Sequence, residues 1–150
     1  MSDLTDLYQD VILDHNRRPR NFGTLEAPSS RALGHNPLCG DRLMVFARID
    51  EGVIRDIRFE GSGCAISKAS ASLMTEAVKG QPVADALALF DRFQALVTTP
   101  IEHDVDLDQI GKLAVLAGVR EFPMRVKCAT LAWHTLKSVL LQQPDIARTE

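Results

Sequence analysis

The 150-residue chain predicts an α+β fold, a small antiparallel β-sheet with helices packed on it. Two neighbouring segments alternate apolar and polar residues across a glycine-containing turn, which gives the sheet. Segments of helical spacing and composition flank them on both sides. No repeat, low-complexity tract or linker interrupts the pattern, and a 45% hydrophobic chain of this length supports one core, so residues 1–150 read as a single domain.

Leu4, Leu7, Tyr8, Val11 and Ile12 recur at helical spacing, and the pattern stops in the basic stretch His15-Asn16-Arg17-Arg18-Pro19-Arg20. Residues 21–30, with Gly23, Pro28 and two serines, read as a loop, followed by a short strand just before His35. Leu43, Val45, Ala47 and Ile49 alternate with Met44, Phe46, Arg48 and Asp50. Val53, Arg55, Ile57 and Phe59 alternate with Ile54, Asp56, Arg58 and Glu60. Glu51-Gly52 joins these strands, since glycine supplies the positive φ that a tight hairpin needs. A helix runs from Cys64 to Lys79 between Gly61-Ser62-Gly63 and Gly80, and another covers Val83 to Leu96. Thr98 to Asp104 is a polar loop, Leu107 to Val119 an apolar helix, and Pro123 opens a last helix reaching about Gln142.

Composition narrows the function. A net charge of -3 with scattered basic residues offers no stripe for a phosphate backbone, so nucleic acid is not an expected partner. Acids near Met1 and the lack of an apolar run behind them differ from a secretory signal. The apolar stretch Leu113 to Val119 is far too short to span a membrane. The expected location is the cytoplasm, with no membrane partner. Three cysteines in a reducing compartment argue for thiols or metal ligands rather than a disulfide framework, although a lone cytosolic cysteine is by default a small buried hydrophobe.

The hairpin brings those cysteines into relation. If Asp50 pairs with Val53, continuing the ladder at constant register sets position 39 opposite position 64. Strands lie ~4.8 Å apart, so Cys39 and Cys64 emerge at one open end of the hairpin with Asp41 between them. Cys64 begins a helix, and Cys128 lies in the first turn or so of another, where the macrodipole favours a thiolate. Three anionic sulfurs and a carboxylate repel one another unless a cation joins them. This donor set suits tetrahedral zinc, and its sulfur content also suits an iron-sulfur cluster. His15, His35, His103 and His134 read as solvated or hydrogen-bonded side chains. Ser67, Ser70 and Ser72 read as small residues that allow close helix packing. Arg125 and Lys127 are basic residues at a helix start, able to steer an anion.

Several stretches resemble the U-type iron-sulfur cluster assembly family, the proteins similar to IscU and to the NifU N-terminal domain. Cys39-Gly40-Asp41 resembles its first cysteine loop, and Gly61-Ser62-Gly63-Cys64-Ala65-Ile66 through Glu76 its second cysteine helix. Leu7-Tyr8 through His15, then Pro19-Arg20-Asn21-Phe22-Gly23, is similar to its N-terminal signature. Arg125 to Trp133 carries the third cysteine in the expected order. The resemblance implies a U-type scaffold fold with Cys39, Asp41, Cys64 and Cys128 as metal ligands. In the cluster-building branch a histidine precedes the third cysteine and a Leu-Pro-Pro-Val-Lys segment docks a chaperone. Here Lys127 precedes Cys128 and Glu121-Phe122-Pro123-Met124-Arg125 replaces that segment. The stretch from Gly80 to Cys128 is also longer, as in the SufU branch, which this chain resembles most.

The SufU resemblance implies a zinc-bound sulfur acceptor working with a SufS-like cysteine desulfurase and passing sulfur to downstream iron-sulfur assembly proteins. It also implies that a desulfurase histidine replaces the Cys39 sulfur at zinc. Cys39, on a loop, is the ligand most easily released and is the expected acceptor. The alternatives are a scaffold that assembles and transfers a transient iron-sulfur cluster, and a binding module with a purely structural zinc. A metalloenzyme acting alone fits less well, because four protein ligands leave no position for water.

Overall fold

The structure is a computed structural model that describes residues 3–37, 40–100, 102–103, 110–141 and 147–148. Its helices are α1 (Asp3–Arg17), α2 (Ala65–Val78), α3 (Val83–Thr98) and α4 (Pro123–Leu140), with a 3₁₀ segment at Gly111–Glu121. Its strands are β1 (Ser30–Asn36), β2 (Asp41–Asp50), β3 (Val53–Ser62) and the two-residue β4 (Ala147–Arg148). β3, β2 and β1 form the expected antiparallel sheet, and β4 adds to β1 in parallel. Among the described residues no helix is long and apolar enough to cross a membrane.

The β2–β3 hairpin turns at Glu51 and Gly52, both with positive φ (52° and 73°), as the Glu-Gly pair predicts. Its register departs from a constant ladder. Asp50 pairs with Val53 and Ile49 with Ile54, but Arg48 then pairs with Asp56, leaving Arg55 as the extra residue of a bulge. The bulge changes which side chains face inward. Ile54, Ile57 and Phe59 are fully buried while Arg55 is exposed, so the strand does not keep the simple alternation in which Arg55 shares a face with Ile57. A charged side chain stays in water and an apolar one replaces it in the core.

Helices cover the buried face of this sheet. α4 packs on β1 and β2, α2 packs on β3 and α4, and α1 packs on α2. Val45, Ala47, Ile57 and Phe59 from the sheet meet Trp133 and Leu136 of α4 in a core from which water is excluded. Trp133 stacks on Phe93 of α3 with ring centroids 4.8 Å apart. Close approach of α4 to β1 depends on Gly34, where a Cβ would collide with the Thr135 hydroxyl and press on Leu131.

Two expectations change at the helices. The apolar stretch ending at Val119 is 3₁₀ rather than α where it is described, with Leu113, Ala114, Val115, Leu116 and Val119 buried. Residues 107–109 of the expected helix lie outside the described residues. Cys128 is the sixth residue of α4, which starts at Pro123, so it sits in the second turn. The positive end of the α4 dipole, which fades within the first turn, therefore favours a Cys128 thiolate less than the sequence reading assumed.

Candidate metal centre

The site forms where β2 starts and α2 starts, and the bulge decides their relation. With the register moved by one residue, Arg42 pairs with Ser62 at the open end, so the ladder aims Asp41 at Gly63. The described ladder is thus one residue off the constant register, while position 39, expected opposite position 64, lies outside the described residues. Asp41 is fully buried and its Oδ1 accepts the Cys64 backbone N–H at 2.9 Å. Cys64 is the N-cap of α2, and its Sγ accepts the Ser67 N–H at 3.4 Å, as a serine or aspartate oxygen does at other caps. The Cys64 thiol lies 3.9 Å from Asp41 Oδ2. Carboxylate and sulfur thus share the positive end of the α2 dipole, where negative charge is favoured.

Glycines make this approach possible. A Cβ on Gly63 would stand 2.6 Å from Asp41 Oδ1, closer than real side chains come. Gly61, at φ 146°, leaves room for the backbone of Arg42 and Leu43. Gly40, at φ 73°, brings the chain into β2 while its N–H bonds Asn36 O at 2.9 Å.

Cys128 of α4 completes the described group. Ligand atoms of Asp41, Cys64 and Cys128 all lie within 4.8 Å of one another, with Cys128 buried and Cys64 exposed. Ligand atoms about 3.3–3.8 Å apart surround a tetrahedral zinc, so modest contraction closes this group on one ion. The chemistry also fits, since two sulfurs and a carboxylate are a zinc donor set. Cys39, expected as a further ligand and as the acceptor thiol, lies outside the described residues.

Beside the two sulfurs opens a cleft of about 890 Å³, lined by Ile12 and Leu13 of α1, Val119, Phe122 and Arg125 as well as Cys64 and Cys128. Leu13, Phe122 and Met124 expose their side chains there or next to it. Arg125 lies over the Phe122 ring, 4.5 Å from its centroid. The cleft therefore gives a largely apolar approach with one cationic side chain, Arg125, and one acidic side chain, Glu121, at its wall.

The remaining sequence candidates take other roles. His15 is buried, with Nδ1 2.7 Å from Ser72 Oγ and Nε2 3.6 Å from Glu76 Oε1. Burial, reinforced by Arg20, lowers its pKa, against the opposing pull of Glu76 and Asp14. His35 lies on β1, His103 is exposed, and His134 packs edge-on against Phe90. The serines of α2 do more than allow close packing. Ser70 donates to Ala129 O on α4 at 2.6 Å, and Ser72 accepts the Arg20 N–H at 2.8 Å, tying the chain after α1 to α2. The sequence signal for these roles is the spacing of small polar residues through an otherwise buried helix.

Comparison with known proteins fits this geometry. Residues 7–129 match the family model described as the NifU-like N terminal domain. The chain is 42% identical over 140 residues to the iron-sulfur cluster assembly scaffold protein IscU of Streptococcus pyogenes serotype M1, covering 93% of this chain and 86% of that protein. It is also 42% identical, over 136 residues, to the zinc-dependent sulfurtransferase SufU of Bacillus subtilis strain 168, covering 91% and 90%. The crystal structure of a scaffold protein for the SUF system from Fervidobacterium islandicum, described as a putative one, superposes with a TM-score of 0.80 at 31% identity, over 87% of this chain and 94% of that one.

Proposed function

The chain belongs to the NifU-like N-terminal domain family, and from that premise we propose that it is a zinc-bound sulfur acceptor. It takes persulfide sulfur from a cysteine desulfurase and relays it to iron-sulfur cluster assembly, with residues 1–150 acting as one unit. The observation that carries this reading is the convergence of Asp41, Cys64 and Cys128 within 4.8 Å. Cys39, two residues before Asp41 in the sequence, is the proposed fourth ligand. The name of the Bacillus subtilis relative, a zinc-dependent sulfurtransferase, supports the choice of metal and reaction.

When bound, zinc keeps thiols deprotonated at neutral pH. The chain's own residues do the rest. The α2 N-terminus and the Cys64 N–H hold the Asp41 carboxylate in place, and the Ser67 N–H holds the Cys64 sulfur. With Cys128 buried within α4 as the third described donor, Cys39, which falls in the sequence between β1 and β2, is the thiol proposed to be released. The Cys39 thiolate attacks the terminal sulfur of the desulfurase persulfide. A new S–S bond forms to Cys39, the enzyme's S–S bond breaks, and its cysteine leaves as a thiolate. Sulfur oxidation states balance, with no outside oxidant. The relay requires reduced thiols, which is the condition of the cytoplasm.

The second reading is the cluster scaffold, favoured by the equally similar Streptococcus pyogenes relative that carries that name. Lys127, standing where the cluster-building branch has histidine, favours sulfur transfer. Titrating the zinc protein into a cysteine desulfurase under reductant separates the two. The relay predicts a saturable rise in conversion of cysteine to alanine. Unchanged turnover across the titration, with iron and labile sulfide bound after anaerobic reconstitution, establishes the scaffold instead.

A further inference from the structure

Ser67 is fully buried, and among the described residues its hydroxyl has no hydrogen-bond partner. The two other buried serines of α2 differ, since Ser70 bonds Ala129 O and Ser72 bonds Arg20 N–H. Keeping a buried hydroxyl unpaired is unfavourable, and alanine in the same place would avoid the penalty while favouring the helix. A partner that acquires accepting power in another state of the molecule accounts for an unpaired donor of this kind.

That partner is one helical turn away. Ser67 follows Cys64 by three residues, which puts the two on one face of the helix start. Its backbone N–H already points to Cys64 Sγ at 3.4 Å. A sulfur bound to a metal cation as thiolate is a stronger acceptor than a neutral thiol, and rotation about the Ser67 χ1 moves Oγ among three staggered positions.

We propose that Ser67 is a positioning residue for the metal centre, its hydroxyl donating a hydrogen bond to Cys64 Sγ when that sulfur is a metal ligand. This inference rests on the zinc reading and deepens it. With both the N–H and the O–H of Ser67 on one sulfur, the Cys64 thiolate has part of its charge neutralised and its direction fixed. It is then the ligand that stays while another is released. The hydroxyl thereby contributes to selecting which cysteine becomes the acceptor.

Cobalt(II) in place of zinc gives the test a spectroscopic readout, because the sulfur-to-cobalt charge-transfer band responds to hydrogen bonds at the sulfur. Ser67→Ala should shift that band to lower energy than in wild type and weaken zinc binding about tenfold, the scale of losing a hydrogen bond to a ligand. Metal-free Ser67→Ala should melt no lower than metal-free wild type, because its hydroxyl has no partner among the described residues to lose. Ser70→Ala, which removes the bond to Ala129 O, should lower the melting temperature and leave the band in place. An unmoved band with wild-type zinc affinity in Ser67→Ala overturns the proposal. So does a drop in metal-free melting temperature matching that of Ser70→Ala, since the hydroxyl then has a partner within the protein. Failure of wild type itself to bind cobalt or zinc overturns the zinc reading, and this inference with it.

Discussion

Replacing Gly63 by alanine tests the junction on which the site depends. The added Cβ would lie 2.6 Å from Asp41 Oδ1, 3.0 Å from Cγ and 3.2 Å from Cβ. Rotating the carboxylate relieves the first contact but not the last, because the Asp41 Cβ moves only with the β2 backbone. Gly63 has no positive φ, so the effect is collision rather than backbone strain. Gly63 is itself exposed, but its added Cβ presses on the fully buried Asp41, and overpacking of that kind costs about 1–3 kcal/mol, which should appear as a lower melting temperature of the metal-free protein. Moving the carboxylate away from Cys64 should also weaken zinc binding, by roughly 10–100-fold, the range for disturbing a ligand's support. Competition against a chromophoric zinc chelator measures this directly. Gly118→Ala is the control, because nothing lies within 4 Å of its added Cβ and its φ is ordinary. Its zinc affinity should equal that of wild type. A folded Gly63→Ala protein with wild-type affinity, or an equal loss in Gly118→Ala, would refute the reasoning.

Other outcomes follow from the same geometry. Cys39→Ser, Asp41→Ala, Cys64→Ser and Cys128→Ser should each reduce zinc retained through purification, and full occupancy by elemental analysis in all four would remove this site from consideration. Gly34→Ala should destabilise the fold by about 1–3 kcal/mol in urea unfolding, since its Cβ meets Thr135 and Leu131 of α4; an unchanged midpoint would contradict the tight β1–α4 packing. His15, with its pKa lowered from 6.5 chiefly by burial and then by Arg20, binds its proton less readily folded than unfolded. Its contribution is therefore complete above pH 6.5 and declines as pH falls through that value toward the lower folded one. Glu76, Asp14 and Lys112 act on the same ring, and His134 is shifted in the same direction. The melting temperature should fall on acidification below neutrality, less steeply in His15→Asn, and equal slopes would exclude His15 as a source.

Much of this was legible because the determining interactions are local. The Glu51-Gly52 turn, the alternation of β2 and the glycine-bounded α2 follow from neighbours a few residues apart. The bulge was not legible as alternation, because Val53 and Ile54 are both apolar and either can start the inward face. Burial of Ile54 and exposure of Arg55 settle the choice through the tertiary environment. This one-residue shift also alters the site: the sequence brings Cys64 to the open end of the hairpin, but the pairing sets it by Asp41. The β4 strand, two residues long and paired with a strand more than a hundred residues earlier, has no local signature. Likewise, the fates of Ser67, Ser70 and Ser72 differ although their sequence context is alike, because each faces a different neighbour.

The account is tested most directly by mixing zinc-loaded protein briefly with a persulfide-charged cysteine desulfurase, alkylating, and locating the transferred sulfur by peptide mass spectrometry. Zinc content is measured on the same sample. The prediction is one added sulfur atom on the peptide containing Cys39, with zinc retained and Cys64 and Cys128 unmodified. Extra sulfur on Cys128 alone in protein that keeps its zinc, or no transferred sulfur on any cysteine, would contradict it.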